Sequence, residues 1–166
     1  MKFLHLAVLS CLFVIFNEHA GAQVIVTPPG TEWVTGAGLL SVDRGEKQWL
    51  ASADWRFSPL QWNIRPWLGA AVAERGTWYL STGLVYTLPL ASGWRLSVGF
   101  APTDYQAGNG KVLGEVLEFY SFAEVGYTFA NGHAVNLRFG HLSHAHLSDY
   151  NPGTEILMLN WSMPFR

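Results

Sequence analysis

Along most of the chain, large apolar residues alternate one for one with small or polar ones. In "WRLSVGF", Trp94, Leu96, Val98 and Phe100 share one side, and Arg95, Ser97 and Gly99 take the other. "WLASADWRF" sets Trp49, Ala51, Ala53, Trp55 and Phe57 against Leu50, Ser52, Asp54 and Arg56. "EVGYTF" and "AVNLRFGHLS" repeat the pattern with Val125, Tyr127 and Phe129, and with Val135, Leu137 and Phe139. A period of two is the mark of β-strands with chemically distinct faces. Turn residues punctuate the runs at Asp43-Arg44-Gly45, Ser58-Pro59, Arg75-Gly76, Ala91-Ser92-Gly93, Gly108-Asn109-Gly110, Asn131-Gly132 and Asn151-Pro152-Gly153. These seven breaks predict eight antiparallel strands, at 32–43, 46–58, 62–75, 77–89, 93–105, 113–129, 133–144 and 154–165.

One hairpin fixes its own register. A two-residue Asn-Gly turn in "FANGHA" would pair residues of opposite faces. A three-residue loop, Ala130-Asn131-Gly132 with Gly132 left-handed, restores the match. It pairs Val125 with Leu137 on one face and Glu124 with Arg138 on the other, predicting an ion pair at the latter.

Composition decides where such strands live. Charged residues make up only 13 % of the chain and aromatics 14 %, with 8 tryptophans. Outside the first residues no apolar run reaches the roughly 18–20 residues that a membrane helix needs. A greasy chain without a spanning helix can still cross a membrane as a closed barrel. The expected fold is therefore all-β: an eight-stranded antiparallel transmembrane β-barrel of the outer-membrane type. Large apolar side chains should face lipid, and small and polar groups should fill the narrow interior. Trp33, Trp62, Trp78, Trp94 and Trp161 sit at strand ends, as interfacial girdles would. A soluble β-sandwich would turn the same apolar faces inward. The slightly acidic balance, net charge −2, argues against nucleic acid as a partner.

The chain opens with Met1-Lys2, an apolar run from Phe3 to Phe16, and Ala20-Gly21-Ala22, the layout of a cleaved signal peptide. Residues 1–22 are thus expected to leave a single domain at 23–166. The only cysteine, Cys11, lies within the apolar run, so no disulfide supports the mature fold.

Parity then singles out the polar cluster in "FGHLSHAHLSDYNPGTEILMLNW". His141 and Ser143 continue the lipid-facing row of Val135, Leu137 and Phe139. Glu155 continues that of Leu157, Leu159 and Trp161. Ionisable groups are costly against hydrocarbon, by a few kcal/mol near the bilayer centre and less at the rim. One reading is therefore a structural rim that ends the apolar belt. The other is a hydrolytic triad. Ser143 would be the nucleophile, His141 the general base and acid, and Glu155 the orienter of the imidazole. Asn151 and the backbone amide of Gly153 stand ready for an oxyanion. A zinc site built from His141, His144, His146 and Asp149 is disfavoured, because His144 and His146 lie on the face opposite His141. No cofactor or metal is called for.

The stretch "FAEVGYTFANGHAVNLRFGHLSHAHLSDYNPGTEILMLNWSMPF" resembles the PagL family of outer-membrane lipid A 3-O-deacylases. The family pattern is histidine, any residue, serine, asparagine, an Asn-Pro-Gly or similar turn, then glutamate. Its histidine, serine and glutamate fall on His141, Ser143 and Glu155, and its turn asparagine falls on Asn151. The resemblance implies a serine esterase that removes the 3-O-linked hydroxy-acyl chain of lipid A at the outer leaflet. Its partners would be lipopolysaccharide and membrane lipids, and a homodimer is left open. One position departs: His144 stands where asparagine usually follows the serine, which brings His144 into consideration as an oxyanion or substrate contact. Rival functions are a non-enzymatic structural or adhesive barrel, and a lipid A acyltransferase, which would hold its acyl chain inside the barrel.

Overall fold

The computed structural model describes residues 30–43 and 45–165; the expected signal peptide lies outside them. Eight strands form one closed barrel in chain order: β1 (Thr31–Leu40), β2 (Gln48–Arg56), β3 (Ile64–Ala73), β4 (Trp78–Pro89), β5 (Trp94–Gln106), β6 (Leu117–Thr128), β7 (Ala134–Ser143) and β8 (Thr154–Phe165). Every neighbouring pair is antiparallel, and β8 closes onto β1 through pairs such as Thr35 with Trp161. Closure removes the free edges that would otherwise expose unpaired amides. The longer connections, 41–47, 107–116 and 144–153, share one end with the short 74–77 turn. This is the loop end. The turns at 57–63, 90–93 and 129–133 lie at the other, the turn end.

The predicted strand count and order hold, and the strand limits move by a few residues. β1 stops at Leu40 because Ser41 has φ of 63°, and β3 starts late because Trp62 and Asn63 have φ of 57° and 58°. The register of the sixth and seventh strands is as predicted: Val125 faces Leu137, and Glu124 faces Arg138. Gly132 has φ of +85°, and the Phe129 amide donates to the His133 carbonyl at 2.8 Å across the three-residue loop.

Leu68, Leu80, Leu84, Val98, Phe100, Leu137, Phe139 and Leu159 are all exposed on the outer wall, as lipid-facing side chains are. At the turn end the girdle consists of two chains of aromatic contacts. Trp33 packs on Trp55 and Trp55 on Phe165, while Trp94, Tyr127, Phe129 and Trp161 form a second chain of ring contacts.

The interior departs from a uniformly polar filling. Toward the turn end it is ionic. Arg138 bridges Asp54 (2.6 Å) and Glu124 (3.0 Å), Arg56 pairs with Glu124 (2.7 Å), and Arg95 pairs with Glu32 (3.0 Å). Toward the loop end it is apolar: Leu40, Leu50, Trp67, Tyr79, Tyr120, Phe122, Leu142, Ile156 and Met158 form one buried cluster. Large rings fit because glycines face them. A Cβ on Gly69, Gly99 or Gly140 would overlap the rings of Trp67, Phe122 or Tyr120 respectively. Within this apolar cluster, volume balance is the rule that matters.

Candidate active site

Strand pairing assembles the outward-facing polar cluster at the loop end. β7 and β8 place His141 directly opposite Glu155, with both side chains on the lipid-facing wall. In that register His141 Nδ1 lies 2.8 Å from Glu155 Oε1, and the two side chains are 43 % and 23 % exposed. A carboxylate can only accept, so this contact places the proton on Nδ1 and leaves the Nε2 lone pair available as an acceptor. Among the described residues Glu155 Oε2 is buried without a hydrogen-bond donor, and the imidazole is the partner of Oε1.

The backbone beneath Glu155 is clamped by the first loop. Its carbonyl accepts from the amides of Ser41 (2.8 Å) and Val42 (3.2 Å), and its own amide reaches Asp43 Oδ1 at 3.4 Å. Below the surface Ser41 Oγ and Thr154 Oγ1 are 3.0 Å apart. This support was not visible in the sequence, because it joins residues more than a hundred positions apart.

Ser143 is the last residue of β7, two beyond His141 and on the same face, and it is partly exposed. Two strand residues span about 6.6 Å of rise, within reach of a serine and an imidazole leaning toward each other. Among the described residues no hydrogen bond joins the two; the contact already made is that of His141 with Glu155. Catalytic hydrogen bonds commonly tighten only when substrate is present. On its other side Ser143 is paired with Phe119 of β6, whose ring stacks on Phe100 of β5 (5.8 Å, 12° between planes). The serine therefore borders an apolar aromatic strip on the lipid-facing wall.

The 144–153 loop returns the chain past the same point. Gly153 has φ of +56°, and a Cβ there would stand 2.9 Å from His141 Cε1 and 3.4 Å from its Nε2. The absence of a side chain at 153 is what makes room for the imidazole. Asn151 is half-buried. Among the described residues its Oδ1 has no hydrogen-bond donor, and its Nδ2 has only a long contact, 3.5 Å, to His146 Nδ1. The amide side chain is thus nearly uncommitted.

His144 does not stand where an oxyanion or substrate contact would. It faces the barrel interior and is fully buried. Its Nδ1 accepts from the Leu147 amide (3.0 Å), and its Nε2–H donates to the Tyr150 carbonyl (2.8 Å). Both nitrogens are spent on the loop. His141 faces outward and His144 inward, as parity predicted, and His146 lies in the loop beyond the strand.

Comparisons with known proteins identify the family and the fold. The family model "Lipid A 3-O-deacylase (PagL)" matches residues 37–164, well over half of the chain. Among solved structures, the outer-membrane enzyme PagL superposes with a TM-score of 0.63 at 22 % identity, covering 81 % of this chain and 99 % of that one. Neisserial surface protein A (NspA) gives a TM-score of 0.57 at 9 % identity, over 81 % of this chain and 96 % of that one. A de novo designed transmembrane β-barrel gives 0.55 at 10 % identity, over 82 % and 98 %. The last two share the architecture of a small membrane barrel. No curated protein matches the sequence. The family match runs from the last residues of β1 through nearly all of β8 and includes residues 141, 143 and 155, and the chain belongs to the lipid A 3-O-deacylase (PagL) family of outer-membrane ester hydrolases.

Proposed function

We propose that this protein hydrolyses the 3-O-linked hydroxy-acyl ester of lipid A with Ser143, His141 and Glu155 acting as a triad. Ser143 Oγ attacks the ester carbonyl carbon while His141 Nε2 takes its proton. Glu155 holds the imidazole in the Nδ1–H tautomer and stabilises the imidazolium that forms. The Asn151 side-chain amide and the Gly153 backbone N–H donate to the developing oxyanion. When the intermediate collapses, the C–O bond to the sugar breaks, and His141 returns the proton to the departing 3-hydroxyl. Water, activated by the same histidine, then releases the fatty acid from Ser143.

The observation that carries this reading is the 2.8 Å His141–Glu155 contact on the lipid-facing wall, with Ser143 two residues along the same row. A merely structural rim has no use for a histidine oriented by a buried-edge carboxylate. The location also suits the substrate. With the loop end at the cell exterior, the triad lies at the depth where the ester-linked chains of outer-leaflet lipid A begin, and Phe119 and Phe100 offer an apolar surface beside the nucleophile. Acyl transfer into a barrel interior fits less well, because the loop half of the interior is packed by Trp67, Tyr120, Phe122 and Leu142.

The test is hydrolysis by the purified barrel in detergent micelles with lipopolysaccharide, following free hydroxy fatty acid by gas chromatography. Release by the wild type and none by Ser143→Ala supports the triad. Equal release from both proteins would show that the ester is cleaved elsewhere or by a contaminant.

A further inference from the structure

The loop that carries Asn151 and Gly153 is held by the residue at which the family motif breaks. His144 lies directly after Ser143, at the end of β7, with its ring turned into the barrel and no exposed surface. An Nδ1 that faces the Leu147 amide must be unprotonated, so the ring proton sits on Nε2 and points at the Tyr150 carbonyl. The ring is thus a strut across the loop, joining the first bend, where the Leu147 amide also reaches the His144 carbonyl at 3.0 Å, to the residue just before Asn151.

The loop needs such a strut. Ala145 and His146 hold φ of 51° and 63°, a left-handed conformation that non-glycine residues keep only when their surroundings enforce it. Among the described residues Asn151 has no strong side-chain hydrogen bond, with Oδ1 unpartnered and Nδ2 at 3.5 Å from His146. Its position is therefore inherited from the backbone at Tyr150, which His144 pins. The neighbouring loop seats on the same point. Gly114, with φ of +114°, leaves no room for a side chain, since its Cβ would overlap the Tyr150 carbonyl and approach His144 Nε2 to 2.9 Å.

We propose that His144 is a positioning residue for the hydrolytic site, fixing the oxyanion-binding side of the 144–153 loop through Leu147 and Tyr150 without touching substrate. The inference rests on the Ser143–His141–Glu155 reading, and it assigns a role to the one motif position where this chain carries histidine instead of asparagine. The strut acts on transition-state contacts, so its loss lowers kcat more than it changes KM.

The experiment compares His144→Phe, which fills the space without hydrogen bonds, with His144→Gln, whose amide offers an acceptor and a donor about as far apart as the two ring nitrogens. Ser143→Ala is measured in parallel, and folding is scored by the heat-dependent electrophoretic shift of intact barrels. The expected result is a kcat about 10- to 100-fold down for His144→Phe with KM within about threefold, and at least tenfold recovery in His144→Gln. Wild-type kcat in folded His144→Phe, or equal impairment in both variants, overturns the strut. Residual activity in Ser143→Ala instead overturns the triad itself, whatever the His144 variants do. Amide exchange of Leu147 adds a check that needs no activity: it is expected to be slow in the wild-type barrel and faster in folded His144→Phe, and exchange at the rate of an open loop in the wild type, or equal exchange in the two, contradicts the proposal.

Discussion

Gly153→Ala tests how tightly the site is built. The added methyl group would sit 2.9 Å from His141 Cε1, whereas carbon atoms in ordinary contact are about 3.5–4.0 Å apart. Either the imidazole or the loop must yield by about 0.6–1 Å. The backbone at φ of +56° adds a left-handed cost of about 1–2 kcal/mol for alanine, too small to unfold a closed barrel. Misplacement of a catalytic group by about 1 Å costs about 10²-fold in rate. The expected result is a folded protein with kcat down about 10- to 100-fold, measured as hydroxy fatty acid released from lipopolysaccharide. Gly45→Ala is the control. Its φ is +92°, but nothing lies within 4 Å of the position its Cβ would take, so it carries the backbone cost without the contact and should keep wild-type kcat. A folded Gly153→Ala with kcat within twofold of wild type would refute the claim that Gly153 sets the position of His141.

Glu155→Gln keeps the shape of the orienting side chain but removes its charge and its ability to fix the tautomer; kcat should fall about 10²- to 10⁴-fold with the barrel intact by electrophoretic shift. Asn151→Ala should lower kcat by about 10²- to 10³-fold while KM changes little, the pattern expected for a donor used only in the transition state. Arg138→Met leaves Asp54 and part of Glu124 without their buried partner, and should cost about 3–5 kcal/mol in urea unfolding followed by tryptophan fluorescence. Replacing Asp54 with asparagine in that background should recover part of the loss, and failure to recover any would mean the network is not what holds that end of the barrel.

The outer wall was legible because lipid tolerates one kind of surface: large apolar residues at every second position betray their side directly. The Glu124–Arg138 register followed from turn geometry plus parity, two constraints that leave a single solution. The facing of His141, Ser143 and Glu155 followed from the same parity, while their chemical identity rested on the resemblance. The interior resisted reading because no solvent fixes its polarity. Trp67 is buried although most tryptophans face outward, and β3 reads as apolar on both faces. Its space comes from Gly69, and the rings it packs on, Phe122 and Tyr120, are accommodated by Gly99 and Gly140 on the strands flanking theirs, a match of volumes that no local pattern records. The role of His144 was hidden for a similar reason. Parity turned it inward, but its two partners lie in a loop whose first bend, through left-handed Ala145 and His146, has no glycine to announce it.

Mass spectrometry of lipid A from cells expressing wild type or Ser143→Ala tests the central claim most directly. The account predicts loss of one hydroxy-acyl chain from the 3-O position in cells with the wild type, and unmodified lipid A in cells with the variant at equal levels of folded barrel. Identical lipid A in the two strains, with both proteins folded in the outer membrane, would contradict it.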